Sequence, residues 1–142
     1  MYWSTIRRFF NSCLRTTAAP RSRHLTDGAR GEHVAAKFLR RGGHRILSRN
    51  FRCAMGELDL VTRDGETIVF VEVKARRDQN SQDPLETVTP VKWSRVERAA
   101  RQFVSQHRLE ESPCRFDLVT IVWNEATPTV EHTESAYEPR RP

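Results

Sequence analysis

No apolar run in these 142 residues approaches the roughly 20 needed to span a bilayer, which excludes a membrane-crossing helix. Cysteine is scarce: Cys13, Cys53 and Cys114 are odd in number and lack both paired and metal-ligand spacing. That argues against a disulfide scaffold or a zinc site and points to a reduced intracellular compartment. The five histidines are scattered, and none forms a ligand pair with a cysteine or another histidine. Internal repeats are absent. Acidic residues are missing from positions 1–26 altogether, while the same stretch carries Arg7, Arg8, Arg15, Arg21 and Arg23.

That last absence disposes of a tempting inference. The net charge of +6 suggests a polyanion-binding protein, but residues 1–26 contribute +5 and residues 27–142 only +1. The excess reports a basic leader, so any grip on a polyanion must come from local placement of charge. The leader is rich in Arg, Ser and Thr, and Trp3, Ile6, Phe9 and Phe10 allow a short amphipathic helix. It reads either as a disordered extension, including an over-long start, or as an organelle-targeting presequence. The expected location is therefore cytoplasmic, with an organelle as the alternative. The length suits one domain, placed at 27–138, with 139–142 as a tail.

Within the domain, apolar periodicity gives an order of elements. DGARGEHVAAKFLRRGG reads as a helix, with Ala29, Ala35, Ala36 and Leu39 on one face and Gly42-Gly43 ending it. HRILSRNFR is a first strand. GELDLVTR and ETIVFVEVKA follow as a hairpin turning at Asp64-Gly65. Residues 77–87 read as a polar loop. Thr89-Pro90 caps a second helix with Val96, Ala99, Ala100, Phe103 and Val104 at helical spacing. CRFDLVTIVW and the stretch from Val130 to Tyr137 are the last strands. The pattern α-β-β-β-α-β-β defines an α/β protein with a mixed sheet flanked by helices.

The hairpin strands carry charges where apolar residues belong. By alternation Glu57, Asp59 and Val61 share one face, and Leu58 and Leu60 the other. Ile68, Phe70, Glu72 and Lys74 share a face of the next strand. A two-residue turn at Asp64-Gly65 sets Glu57 opposite Glu72 and Asp59 opposite Phe70. Asp59 and Glu72 are then diagonal neighbours, roughly 7 Å apart or less. Like charges at that distance are destabilising, and burying them is worse. A hard divalent cation such as Mg²⁺ or Mn²⁺ resolves both problems. The alternative is a solvated face on which these acids pair with Lys74, Arg63 and Arg76; for Glu57 alone that is the better reading. Glu32 begins the apolar face of the first helix, either as a site residue or as an acid favoured by the helix dipole. Lys92 has a similar place on the second helix, where snorkelling competes with a site role. Trp93 and Phe103 read as core.

Glu57-x-Asp59, followed after twelve residues by Glu72-x-Lys74, resembles the PD-(D/E)XK nuclease core. More closely, the chain resembles the bacterial YraN family. The likeness rests on Gly31-Glu32 with Ala35-Ala36 and Leu39, the Asn50 segment, GELDLV, VFVEVKAR, Lys92, RFDLV and ESAY. It covers roughly Asp27 to Tyr137. Leu58 stands where the nominal motif has Pro, and the arginine leader is not part of the family pattern.

The resemblance implies a restriction-endonuclease-like three-layer fold, similar to archaeal Holliday-junction resolvases. It implies a catalytic set of Glu32, Asp59, Glu72 and Lys74, with Asp59, Glu72 and Glu32 on Mg²⁺ or Mn²⁺. The expected activity is hydrolysis of phosphodiester bonds in nucleic acid, DNA first, in branched or nicked form, by a possible homodimer. Lys92, Arg76, Arg77 and Arg95 are the expected nucleic-acid contacts, with Arg40 and Arg41 nearby, and such a grip weakens steeply with salt. Two other classes remain open: a catalytically silent nucleic-acid-binding module, and a structural or adaptor protein whose charges form a salt-bridge network.

Overall fold

The computed structural model describes residues 27–77 and 88–139. The readings of 1–26, of most of the polar loop and of 140–142 lie outside the described residues. The elements follow the expected order: α1 (Asp27–Arg41), β1 (Arg45–Cys53), β2 (Gly56–Asp64), β3 (Thr67–Arg76), α2 (Pro90–His107), β4 (Cys114–Val122) and β5 (Thr129–Tyr137). The five strands lie side by side in chain order. β3 and β4 are parallel and every other pair antiparallel. A parallel pair needs a crossover connection, and α2 lies within it.

The helices cover opposite faces because their apolar stripes do. Ala35, Ala36 and Leu39 of α1 pack on Leu60, Val69, Val71, Val119 and Ile121. Trp93, Val96, Ala99, Ala100 and Phe103 of α2 pack on Leu58, Val61, Ile68, Phe70, Phe116 and Leu118. Trp93 stacks on Tyr137 with ring centroids 5.1 Å apart, so it and Phe103 are core residues, as expected. Thr89 caps α2 by accepting the Lys92 N–H at 3.2 Å, which fixes the turn that carries Lys92. The result is a three-layer α/β domain.

Gly31 sets how closely α1 approaches the sheet. A Cβ on it would stand 2.8 Å from the Cβ of Ala75, an atom that cannot swing aside. Alanine at this position gains about 1 kcal/mol of helix propensity. The overpacking costs about 1–3 kcal/mol and wins. Gly31→Ala is therefore expected to lower the unfolding free energy by about 1 kcal/mol in urea titration, whereas an unobstructed helix site would be stabilised.

The hairpin differs from expectation. Arg63 faces Ile68 and Asp64 faces Thr67, so Gly65 and Glu66 make the turn, with Gly65 at φ 58°. Two contacts account for this. Arg115 holds Asp64 in the strand at 3.2 Å, and Arg63 braces the tip through the Gly65 carbonyl and the Glu66 carboxylate, both at 3.0 Å. Partners therefore move by two residues. The ladder ends at Leu60 opposite Val71, so Asp59 comes one step further, beside Glu72 and not Phe70. Glu57 faces Arg52 across β1 instead of Glu72. Alternation also breaks at Asp59, because Leu60 packs under α1 and Leu58 under α2.

A second charged cluster ties β4 to β5. Asp117 is fully buried and accepts hydrogen bonds from Arg115 Nε at 2.9 Å, His132 Nε2 at 2.7 Å and the Ser135 N–H at 3.0 Å. The pairing slips between Phe116 and Leu118, and Ser135 takes φ 50°, which turns its N–H toward the carboxylate. Burial raises the Asp117 carboxyl, but the bonds from His132, Arg115 and Ser135 together hold it below the ordinary range. His44 lies 5.6 Å from the His132 ring and shares a hydrogen bond with Thr62 at 2.9 Å.

Candidate metal centre and basic groove

Asp59 ends the β2–β3 ladder by substituting its side chain for a strand partner. Its Oδ2 accepts the Val73 N–H at 2.8 Å. The carboxylate thus lies between the strands, within hydrogen-bond contact of Glu72. Glu72 is 3% exposed, and its Oε1 meets two ammonium groups, Lys92 Nζ at 3.4 Å and Lys74 Nζ at 3.8 Å. Three elements therefore meet around the Glu72 carboxylate: β3 supplies Glu72 and Lys74, β2 supplies Asp59, and α2 supplies Lys92.

A buried carboxylate, Glu72, in contact with a half-buried one, Asp59, disfavours double ionisation. Burial, then the Asp59 charge, push Glu72 up to about 7, against the opposing pull of Lys92 and Lys74. Burial also raises Asp59, opposed chiefly by the Val73 N–H and Lys92. The sign of the linkage follows. Between the ordinary glutamate value of 4.5 and about 7, folded Glu72 keeps a proton that the unfolded chain has released. Stability therefore falls as pH rises through that window, by an amount on the order of 3 kcal/mol from this group, and levels off above it. Denaturant titrations in chelator from pH 4 to 8 should show that decline in the wild type. The Glu72 share of it should be absent in Glu72→Gln, leaving a shallower decline from the other raised carboxyls, Asp59 and Glu32.

Glu32 approaches from α1, on the other side of the sheet, at the point where β2 and β3 part. Asn50 hydrogen-bonds its carboxylate; burial raises Glu32 more than that bond lowers it, and the charges of Asp59 and Glu57 add to the rise. Asn50 sits in β1 between the pairs Arg49–Leu60 and Phe51–Leu58, which sets it across from Asp59, and it has φ 51°. Asn50 thus links Glu32 to the strand that faces Asp59. Its role was missed in the sequence, where an asparagine in a strand interior, a place asparagine disfavours, was the available signal.

The site contains two close carboxylates and a third held nearby. Among the described residues, no three Asp, Glu, His or Cys side chains stand close enough to enclose an ion by themselves. Magnesium is commonly held by one or two carboxylates, with water and substrate phosphate completing its shell. Glu57 is not part of the pair: it is exposed, as expected, and meets Arg52, a partner that was not expected, at 3.7 Å.

Beside the carboxylates a groove of about 330 Å³ opens, lined by Arg52, Cys53, Gly56, Glu57, Lys92 and Arg95. Lys92 belongs to both features. Arg95, expected as a nucleic-acid contact, lies on the groove, and Arg52 joins it without having been expected. Arg77 is engaged elsewhere, bonding Asp27 at 3.0 and 3.2 Å and clamping the start of α1 to the end of β3. Arg40 and Arg41 lie in the last turn of α1, roughly 12 Å along the axis from Glu32. Arg76 closes β3, two residues beyond Lys74.

Fold and site together define a small α/β protein of the restriction-endonuclease-like class. A family model described as "Uncharacterised protein family UPF0102" matches residues 31–121. The chain belongs to UPF0102, the YraN family. It is similar to a UPF0102 protein of Pelobacter propionicus, 44% identical over 126 residues that cover 87% of this chain and 89% of the relative. A UPF0102 protein of Geotalea uraniireducens is 42% identical over 112 residues, 78% of this chain and 88% of its own. One from Anaeromyxobacter dehalogenans is 44% identical over 111 residues, 78% and 83%.

Proposed function

We propose that this protein is a Mg²⁺- or Mn²⁺-dependent nuclease that hydrolyses phosphodiester bonds in DNA. The observation that carries the reading is the contact between half-buried Asp59 and buried Glu72, with Lys74 and Lys92 facing Glu72 and Lys92 also lining a basic groove. Asp59 and Glu72 would hold the ion, with the Val73 carbonyl beside them and Glu32 reaching it through water. Bound there, the ion supplies Lewis-acid polarisation of the phosphate and acidification of a water.

The remaining work falls to the chain. Lys74 lies on the sheet face of Glu72, where its ammonium can orient a water and offset negative charge as the phosphate is attacked. Glu32, hydrogen-bonded by Asn50, brings a third carboxylate within electrostatic reach of Asp59. Arg52 and Arg95 offer guanidinium groups for phosphate oxygens along the groove. The Val73 N–H fixes the Asp59 rotamer, so the pair is formed before substrate arrives.

A binding module without turnover shares the groove but not the chemistry. An adaptor reading draws on the fact that Lys74 and Lys92 already neutralise Glu72 in part. One experiment separates the three. Linear, nicked and branched DNA are incubated with Mg²⁺ and wild-type or Glu72→Ala protein. Cleavage by the wild type alone supports the nuclease. Retarded but uncut DNA with both proteins supports the module, and neither effect supports the adaptor.

A further inference from the structure

Lys92 occupies a position that the proposed ion makes untenable. Its Nζ stands 3.4 Å from Glu72 Oε1, the oxygen that Lys74 Nζ also approaches at 3.8 Å. A divalent charge on the same carboxylate would place two like-charged groups within a few ångströms of it, beside a carboxylate that is itself buried and so holds their repulsion at short range. One ammonium has to move. Lys74 is rooted in β3, two residues from Glu72 on the same face, and its backbone is fixed by the parallel ladder to β4. Lys92 is rooted in the first turns of α2, and its stem already lines the groove shared by Arg52 and Arg95. That groove gives its flexible chain a second place to go, among groups suited to a phosphate backbone.

We infer that Lys92 is a stand-in for the cation: it neutralises Glu72 in the ion-free protein and turns into the groove to meet a nucleic-acid phosphate when a divalent ion binds at Asp59 and Glu72. The inference rests on the cation site proposed above and extends it to regulation. Lys92 is then a positioning residue that couples two binding events. Ion binding frees a phosphate contact, and phosphate binding removes the ion's competitor. Linkage makes the two effects equal in size. The coupling suppresses loading of the ion in the absence of substrate.

The test is calorimetric titration of the full chain with Mn²⁺ alone, for wild type, Lys92→Met and Lys92→Arg. Methionine keeps the stem and deletes the charge; it is expected to tighten Mn²⁺ binding about tenfold, equivalent to one unit of pKa. Arginine keeps the charge and is expected to keep the wild-type affinity. Lys92→Met should also weaken binding of a short DNA duplex in Ca²⁺, so that ion and DNA affinities move in opposite directions. A purely structural role for Lys92 would weaken both. Lys92→Gln repeats the test if the methionine variant does not fold, as checked by circular dichroism. Mn²⁺ affinity that is unchanged or weaker in the charge-deleted variants overturns the stand-in role alone. A gain in the arginine variant also overturns it. No Mn²⁺ binding by the wild type or by the charge-deleted variants overturns the cation site itself.

Discussion

Asp117→Ala is expected to destabilise the fold by about 3–5 kcal/mol, the range for removing one partner of a buried ion pair. The carboxylate is fully buried and accepts from Arg115, His132 and the Ser135 N–H. Arg115 keeps partial compensation at Asp64 and Glu134, 3.2 and 3.7 Å away. The Ser135 N–H is turned out of the β4–β5 pairing and has no comparable substitute in this cluster. In a domain of this size the melting temperature should fall by roughly 10–25 °C. The pH dependence checks the cause. A carboxyl held below its ordinary value contributes stability that is present above the unfolded value and lost as pH falls through the folded one. Wild type should lose this contribution on acidification below about pH 4. Asp117→Ala should already lack it at neutral pH, so the difference between the two should shrink in acid. A melting temperature within a few degrees of wild type would show that the cluster is ornamental.

Lys74→Ala is expected to lower metal-dependent DNA cleavage by about 10²–10⁴-fold, the usual contribution of a positioned acid–base group. The effect should be separable from binding. Lys74 is on the Glu72 side of the site, whereas Arg52, Lys92 and Arg95 line the groove. Its loss should reduce the single-turnover cleavage rate and leave DNA affinity within about threefold, the change expected of one exposed charge. Arg95→Ala should do the reverse, weakening binding and reducing its salt dependence by about 0.9 in log–log slope. If Lys74→Ala cleaves at the wild-type rate, the proposed chemistry is wrong even if the ion binds.

The sequence revealed the layers well because they depend on periodicity. Ala35, Ala36 and Leu39 repeat at helical spacing, Val69 and Val71 at strand spacing, and both patterns translate directly into buried faces. The Thr89-Pro90 start of α2 was legible for the same local reason. What was not legible depends on contacts between distant residues. Hairpin register hinged on Arg115 reaching Asp64, 51 positions away, and no local rule contains that bond. The break in alternation at Asp59 arises because its carboxylate takes the Val73 N–H, a tertiary substitution for ladder pairing. Asp117 was visible only as an acid within RFDLV, since its partners come from β5 and from the slip that releases Ser135. For the site, the types and order of Asp59, Glu72, Lys74 and Lys92 were readable. That Lys92 touches Glu72, and that Arg77 is spent on Asp27, required the packed chain.

The central claim is that Asp59 and Glu72 are poised to share a divalent cation. Carboxyl-carbon NMR titration of Glu72, with and without saturating Mg²⁺, addresses it most directly. In chelator the Glu72 carboxyl should titrate at about 7. In Mg²⁺ its midpoint should fall by more than about two units, because ion and proton compete for the same oxygens, and Asp59→Asn should blunt that fall. A Glu72 midpoint that does not move on addition of Mg²⁺ would contradict the account.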